Sequence, residues 1–352
     1  METLIIKLLL PAVLTFCIGV LLTPIVTHYL YKHKAWKKQG GKVAIGGAVA
    51  SEFNRLKGDG ETKTPRMGGI VIWGSVFISI GILYLLTLAS SNTFFTDVFF
   101  LSRSQTWIPF ATLLIGALFG FLNDFYDIQH SGTGVRLSVR LTLISLLASF
   151  IGAWFYFKLG VDSVGLPLTD SLYLGILIIP FFVLLTNALY ASGVIDGIDG
   201  LSGGVFATIF TAYGGVAFIQ TQYDLAAFCL MVTGGILAFL WFNIPPARFW
   251  MTETGSMALT LTLAVVVLMT DDLVDGHGIA LLPIIGFLLV ATVLSNIIQI
   301  TYRKCTGKKF FRIAPLHHHF EAIGWPSHKV TMRYWVISLI CAVLGVVIAA
   351  IL

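Results

Sequence analysis

Charged residues are scarce in this sequence. Only 11% of its 352 residues are Asp, Glu, Lys or Arg, whereas 57% are hydrophobic. A soluble domain carries about 25% charged residues on average. The composition therefore excludes an ordinary soluble protein and predicts a chain that lies largely inside a lipid bilayer.

Cysteine is scarce as well, and mid-membrane charge is almost missing. Cys17, Cys229, Cys305 and Cys341 are far apart in the chain, so neither a zinc motif nor a disulfide framework is predicted. Few ionisable residues fall in the middle of an apolar segment. Because ion and proton carriers usually need charge at mid-membrane depth, this absence counts against a carrier and directs attention to the membrane surface.

Long apolar runs are what the sequence does contain. A helix needs about 20 apolar residues to cross the hydrocarbon core, and a bilayer-spanning backbone must satisfy its own hydrogen bonds. Ten spans are predicted, over residues 8–30, 68–89, 107–122, 137–156, 172–189, 201–219, 225–242, 256–269, 279–300 and 334–352. The predicted fold is an all-α, polytopic membrane protein with about ten transmembrane helices, built as a single domain over residues 1–352.

The basic residues predict the orientation of these spans. Residues 31–66 contain nine Lys or Arg and residues 302–333 contain seven. Arg136, Arg140 and Arg248 lie on the same side, so that 19 of the 22 basic residues fall on one face. The positive-inside rule makes that face cytoplasmic, which places both termini in the periplasm and the protein in the inner membrane. The net charge of +5 is thereby explained without nucleic acid. On the opposite face, Asp271, Asp272 and Asp275 are predicted to form a solvated acidic turn.

Acidic residues concentrate in the loops of the cytoplasmic face. Asp124 and Asp127 are three residues apart at the end of the third span, and Asp196 and Asp199 are three apart in a glycine-rich loop. Glu253 precedes the Gly-Ser that opens the eighth span. Carboxylates of this kind bind Mg²⁺ or accept a proton. Exposed helix-end charges and helix caps are the structural alternatives.

Cations and aromatic rings accompany these acids. Lys63 and Arg66 stand beside two glycines at a helix start, a setting suited to phosphate or to ordinary membrane anchoring. Trp250 suits either a nucleobase or the interfacial aromatic belt. Three adjacent histidines, residues 317–319, diverge too much to ligate one metal ion together, so contacts to diphosphate oxygens are favoured. Acids for Mg²⁺ and cations for phosphate oxygens are the groups that phosphoryl transfer requires.

These motifs resemble those of the polyprenyl-phosphate N-acetylhexosamine-1-phosphate transferase superfamily, in its phospho-N-acetylmuramoyl-pentapeptide transferase branch. The resemblance runs from residues 63–69 (KTPRMGG) to residues 333–335, and its most specific part is APLHHHFE at 314–321 with GWP at 324–326. It implies ten helices and both termini in the periplasm. It also implies transfer of phospho-N-acetylmuramoyl-pentapeptide from its UDP-linked donor to undecaprenyl phosphate, with Mg²⁺ as cofactor, giving lipid I and UMP. Membrane lipid is a further implied partner, and homodimer formation stays open.

The resemblance also implies roles for individual residues. Catalytic roles fall on Asp124, Asp196, Asp199, Glu253, His317, His318 and His319; substrate contacts on Lys63, Asn243, Trp250, Ser256, Gln299 and Arg140; and the metal on Glu253, Asp196 and Asp199. In this hypothesis Asp124 deprotonates or orients the lipid phosphate, and Lys63 with the histidines steadies the diphosphate.

The sequence departs from the family pattern at several of these positions. Asn123 stands where the family has a second Asp, Asp127 and Arg140 where it commonly has Lys, and residues 193–195 replace its usual Asn-Leu-Thr. The family's Gly-Asp-x-Gly-Ser is Thr252-Glu253-Thr254-Gly255-Ser256 here. Two alternatives therefore accompany the main hypothesis: a related transferase that uses another UDP-N-acetylhexosamine, and a paralogue that has lost catalysis.

Overall fold

The computed structural model describes residues 2–38, 62–90, 93–102, 105–130, 134–167, 171–271 and 276–352. Its α-helices in chain order are α1 Glu2–Lys32, α2 Ile70–Ala89, α3 Thr93–Val98, α4 Trp107–Gln129, α5 Leu137–Leu159, α6 Ile178–Ser192, α7 Leu201–Ile219, α8 Tyr223–Asn243, α9 Thr252–Met269, α10 Gly278–Ile285, α11 Phe287–Thr306, α12 Leu316–Ala322 and α13 Ser327–Ile351. Short 3₁₀ turns cover Gly175–Leu177 and Gly193–Ile195. Strands β1 Ser163–Val164 and β2 Leu172–Tyr173 pair antiparallel, with Ser163 opposite Tyr173.

The predicted polytopic helical fold is confirmed. Within the described ranges, nine helices are long and apolar enough to cross a membrane, or ten if one bent pair is counted as a single span. That pair is α10 and α11, whose axes meet at 73° where the sequence predicted one continuous span. Pro283 inside α10 removes a backbone donor, and Gly286 at the junction adds backbone freedom, so the break has an identifiable cause. The cytoplasmic orientation of the chain stays a prediction.

Helix α9 forms the centre of the bundle. All its residues from 254 to 269 are buried, and it packs most extensively against α4. Glycine makes the approach of these two helices possible, because a methyl group at Gly120 would lie 2.0 Å from the carbonyl oxygen of Glu253. Helix α4 also continues to Gln129, beyond the predicted end at residue 122, and carries Asp124 and Asp127 as helical residues. The acids of α4 are thereby brought beside the first turn of α9.

The loop before α2 is held against the same turn. Pro65 O accepts a hydrogen bond from Trp250 N at 2.8 Å, and Gly68 N donates to Trp250 O at 2.7 Å. A methyl group at Gly69 would lie 2.3 Å from Gly255 N, so the backbones touch there. Residues 65–69, which we call the first loop, are therefore fixed relative to the start of α9.

The acidic turn at the other end of α9 differs from the prediction. Asp271 is fully buried, its Oδ1 accepts a hydrogen bond from Gly165 N at 2.7 Å, and its Oδ2 accepts one from Ile279 N at 2.8 Å. The prediction of a solvated side chain is wrong for Asp271, because this carboxylate pairs with backbone amides of two other segments. Asp272 and Asp275 lie outside the described residues.

Replacing Asp271 by alanine is expected to destabilise the protein. Each of the two buried amides would lose its acceptor, at about 1–3 kcal/mol per unsatisfied donor. Thermal unfolding of the detergent-solubilised variant should therefore occur several degrees lower. Asp97→Ala, which removes an exposed acid from α3, is the matched control and should leave the midpoint unchanged. Equal midpoints for the two variants would contradict the structural role of Asp271.

Candidate active site

Asp124 lies at the centre of a cluster of charged side chains at one end of the bundle. It is fully buried, and Oδ2 accepts hydrogen bonds from Thr252 Oγ1 at 2.5 Å, Thr254 N at 2.8 Å and Thr254 Oγ1 at 2.6 Å. Free amides at a helix start attract a carboxylate, so Asp124 caps α9 from a neighbouring helix. Arg66 Nη2 lies 3.5 Å from Asp124 Oδ1 and 3.2 Å from Asp127 Oδ2. The two acids on this face of α4 therefore share one arginine.

Asp196 reaches the same helix start from the loop after α6. Its Oδ2 accepts a hydrogen bond from Thr252 N at 2.8 Å, and its Oδ1 accepts one from Ser202 Oγ at 2.6 Å. Burial raises the pKa of the Asp196 carboxyl; the two hydrogen bonds oppose the shift, and the charge of Asp124 adds to it. The carboxylates of Asp124 and Asp196 thus meet across Thr252.

Glu253 points toward α5 and α6. Arg140 Nη1 lies 2.5 Å from Glu253 Oε1, and the Tyr190 hydroxyl donates to the same oxygen at 3.4 Å. Ser256, less than one turn further along α9, is buried and faces the 3₁₀ turn that begins at Gly193. Glu253 is therefore held by a cation and a hydroxyl on neighbouring helices.

Asp199 is engaged by the segment between α8 and α9. Its Oδ2 accepts a hydrogen bond from Ala247 N at 3.0 Å, and its Oδ1 accepts one from the indole Nε1 of Trp250 at 3.1 Å. Both carboxylate oxygens thereby hold one loop, which orients the Trp250 ring.

Asn243 links the same two loops through its side-chain amide. Its Oδ1 accepts a hydrogen bond from Gly200 N at 2.9 Å, and its Nδ2 donates to Phe249 O at 2.8 Å. Asn243 is buried, so both bonds are protected from water. This residue, predicted to contact substrate, fixes the shape of the loops around Asp199.

His317 and His318 pack directly on the turn formed by Asp196 and Gly197. A methyl group at Gly197 would lie 2.7 Å from His317 Nε2 and 2.6 Å from His318 Nε2, so only glycine leaves room for both rings. His318 Nδ1 lies 2.7 Å from Glu321 Oε2, which orients its ring with Nε2 toward the turn. Helix α12 thereby joins the cluster.

The remaining predicted residues lie at its margin. His319 Nδ1 accepts a hydrogen bond from Arg312 N at 3.2 Å. Burial and the charge of Arg312 lower the pKa of His319 from its ordinary value. The Gln299 side chain accepts a hydrogen bond from Phe311 N at 2.8 Å and donates one to Phe311 O at 3.2 Å. Gln299 therefore holds the segment that leads into α12. Lys63 is exposed beside the first loop.

Exposure separates these side chains into two groups. Asp124 is 0% exposed, whereas the side chains of Arg66, Arg140 and Glu253 are 14%, 22% and 25% exposed. The buried carboxylate can order its neighbours, and the three partly exposed groups can touch a ligand directly. Two cations and one carboxylate at an apolar bundle's end suit a phosphorylated substrate with its metal ion.

The sequence of this chain matches those of known proteins. Residues 106–271 match the family described as Glycosyl transferase family 4. Proteins named phospho-N-acetylmuramoyl-pentapeptide-transferase match almost the whole chain: that of Geobacillus sp. (strain WCH70) is 35% identical over 346 residues, 97% of either chain. Those of Anoxybacillus flavithermus and Bacillus subtilis (strain 168) are 33% identical over 97% and 32% identical over 95% of either chain.

The chain belongs to the phospho-N-acetylmuramoyl-pentapeptide-transferase family. The resemblance inferred from the motifs is thereby confirmed. The structure also gives partners to the residues that depart from the family pattern. Asn123 Oδ1 accepts a hydrogen bond from Val135 N at 3.2 Å, Asp127 pairs with Arg66, and Glu253 pairs with Arg140. Asn123, Asp127, Arg140 and Glu253 therefore each have a local partner.

The oxygen donors of this cluster decide whether a magnesium ion could fit. Among the described residues, no group of three or more His, Cys, Asp or Glu side chains is arranged to hold a metal ion. Mg²⁺, however, is usually bound by one or two carboxylates together with substrate phosphates and water. Glu253 in the first turn of α9 and Asp196 in the loop after α6 supply hard oxygen donors on the two sides of Thr252. The residues fit a magnesium site that the substrate completes.

Three residues of this cluster escaped sequence reasoning: Thr252, Thr254 and Tyr190. The threonines flank Glu253 at the start of a helix, where hydroxyl side chains commonly act as caps, and this pattern could have identified them. Tyr190 directly follows the predicted span over residues 172–189 and has no such signature.

Proposed function

We propose that this protein transfers phospho-N-acetylmuramoyl-pentapeptide from its UDP-linked donor to undecaprenyl phosphate, producing lipid I and UMP. The observation that carries the proposal is the convergence of Asp124, Asp196 and Glu253 at Thr252, beside two arginines and at one end of an apolar bundle. A lipid phosphate and a water-soluble nucleotide sugar can meet only at such a boundary. The names of the relatives support the identity of the transferred group, phospho-N-acetylmuramoyl-pentapeptide. The UDP-linked donor and the undecaprenyl phosphate acceptor are part of the proposal.

The reaction needs little covalent help from the protein. An oxygen of the lipid phosphate attacks the sugar-linked phosphorus, and the bond from that phosphorus to the bridging oxygen breaks, so that UMP leaves with the electron pair. A phosphate monoester has a second pKa of about 6, so most of the nucleophile carries no proton above pH 7. The fully buried position of Asp124 accordingly supports the orienting role rather than proton removal.

Catalysis then rests on position and charge. Arg66 and Arg140 are the partly exposed cations, and they bind the oxygens of the reacting phosphates. Glu253 and Asp196 would hold Mg²⁺, which would supply positive charge to neutralise the diphosphate. Asp124 keeps Arg66 and the first turn of α9 in register with these groups.

The other predicted residues bind the donor. The Trp250 ring stacks on the uracil base. Asp199 and Asn243 fix the loops that orient the Trp250 ring. His317 and His318, with Lys63 near the first loop, steady the diphosphate. Ser256 supports the turn behind Glu253.

We also propose that this end of the bundle faces the cytoplasm, with both termini in the periplasm of the inner membrane. The site lies at the ends of α4 and α8 that carry Asp124 and Asn243. Arg303 and Lys304 occupy the last turn of α11 at this end. Positive charge of this kind is retained on the cytoplasmic side.

UMP release by the purified protein tests the proposed function. Detergent-solubilised protein receives undecaprenyl phosphate, Mg²⁺ and UDP-N-acetylmuramoyl-pentapeptide, and we expect UMP and lipid I to form in equal amounts. Parallel reactions replace the donor by UDP-N-acetylglucosamine or omit the lipid. Turnover only with the second donor would assign another UDP-N-acetylhexosamine, and nucleotide-sugar binding without UMP release would identify an inactive paralogue.

A further inference from the structure

Thr252 makes more connections within the cluster than its chain position suggests. Its N donates to Asp196 Oδ2 at 2.8 Å, its Oγ1 donates to Asp124 Oδ2 at 2.5 Å, and the same Oγ1 accepts a hydrogen bond from Met67 N at 3.0 Å. One residue thereby joins the loop after α6, helix α4 and the first loop. The single hydroxyl proton and an acceptor site of Oγ1 are both used.

The backbone at Thr252 is held in a conformation that its type rarely adopts. Its φ is +53°, and that of its partner Met67 is +67°. A β-branched residue in the left-handed region is strained and persists only where its surroundings determine it. Here a hydrogen bond links the two strained residues, and Asp124 and Asp196 hold Thr252 from the other sides.

Met67 and Thr252 are each adjacent in the chain to a charged residue of the site. Arg66 precedes Met67, and Glu253 follows Thr252, so the bond from Met67 N to Thr252 Oγ1 lies between the two. Arg66 and Glu253 are also partly exposed side chains that can reach a ligand. The hydroxyl of Thr252 therefore adds, to the backbone bonds of the first loop, a side-chain contact between the segments that carry this cation and this carboxylate.

We propose that Thr252 is a positioning residue for phosphosugar transfer, acting through its hydroxyl on Arg66, Asp124 and Glu253. The inference rests on the proposed function, since it concerns the same site. Misplacement of a reacting group by about 1 Å can reduce the rate about 100-fold, so a hydroxyl that makes this contact has a kinetic effect without touching substrate. A glycine at this position would adopt the same φ without strain and would lack the hydroxyl.

Thr252→Val tests the hydroxyl alone, because valine keeps the branched shape and the strain. We expect kcat for UMP release to fall about 10- to 100-fold with little change in the KM for the donor, because an orienting contact is lost rather than a ground-state contact to substrate. Thr252→Ser keeps the hydroxyl and should stay within about threefold of wild type. The matched control is Thr262→Val in α9, whose buried hydroxyl donates only to Ala258 O of its own helix. This control should retain the wild-type kcat.

A second measurement does not depend on turnover. In Thr252→Val the amide of Met67 loses its acceptor, so hydrogen exchange in peptides covering residues 64–70 should gain about one deuteron at early times. Thr252→Ser and Thr262→Val should exchange like wild type there.

The outcomes separate the inference from the function on which it rests. A wild-type protein that releases no UMP overturns the proposed function, and the exchange experiment still decides whether Thr252 holds the first loop. With an active wild type, Thr252→Val at wild-type kcat overturns the inference. So does a Thr252→Ser variant as slow as Thr252→Val, or exchange at residues 64–70 that is unchanged in Thr252→Val.

Discussion

Asp124→Asn is expected to reduce kcat for UMP release about 100-fold, the loss that misplacement of reacting groups by about 1 Å can produce. The asparagine amide can accept with one atom only, so it cannot replace a carboxylate that holds Thr252, Thr254 and Arg66 together. Arg66 would keep Asp127 as its partner and would move toward it. Initial rates at saturating donor and lipid measure the effect.

Asp127→Asn is the matched control for this variant. It removes the same charge from the same helix face, one turn away, and it affects only the second partner of Arg66. We expect a loss below about tenfold, in the range of a supporting contact. If both variants were equally active, Asp124 would be a structural cap of α9 and would have no part in catalysis.

The sequence predicts the fold well because the bilayer restricts the choices. Apolar runs of sufficient length have to be helices, and the glycine-rich acidic loops alternate with them, so the acids fall at one end of the bundle. The apolar runs do not show how far a helix extends beyond its apolar residues into a polar segment. Helix α4 extends past its apolar part to Gln129, and this extension places Asp124 inside the protein.

The structural roles of predicted site residues depend on contacts that spacing does not encode. Asp199 and Gln299 were predicted from motifs to contact metal or substrate, and both use their side chains to hold neighbouring loops. Their partners are 48, 51 and 12 residues away in the chain. These hydrogen-bonded pairs result from the packing of helices against one another, and no local sequence pattern predicts them.

The left-handed backbone conformation of Thr252 is a second feature that the sequence does not predict. Glycine and asparagine are the usual indicators of positive φ, so a threonine at residue 252 gives the opposite indication. The cost of this conformation is about 1–2 kcal/mol for an L-residue. The bonds of Thr252 to Asp124, Asp196 and Met67 offset it, and only the three-dimensional arrangement reveals them.

Removal of divalent metal by EDTA is expected to abolish UMP release, and added Mg²⁺ should restore it. The cluster contains four carboxylates, from Asp124, Asp127, Asp196 and Glu253, against the two guanidinium groups of Arg66 and Arg140. A diphosphate adds further negative charge to this excess. Among the described residues, these two arginines do not balance both charges, and we expect a divalent cation to enter with the substrate.

Glu253→Gln tests which side chain receives that cation. The amide removes the charge that faces Arg140 and weakens a hard oxygen donor, so the Mg²⁺ concentration for half-maximal rate should rise about tenfold or more. Glu253→Asp keeps the charge and should raise it less. Glu321→Gln is the control, because it removes an acid that supports His318 and should lower the rate at an unchanged Mg²⁺ requirement. An unchanged requirement in Glu253→Gln would move the metal to Asp196 and leave Glu253 as the partner of Arg140.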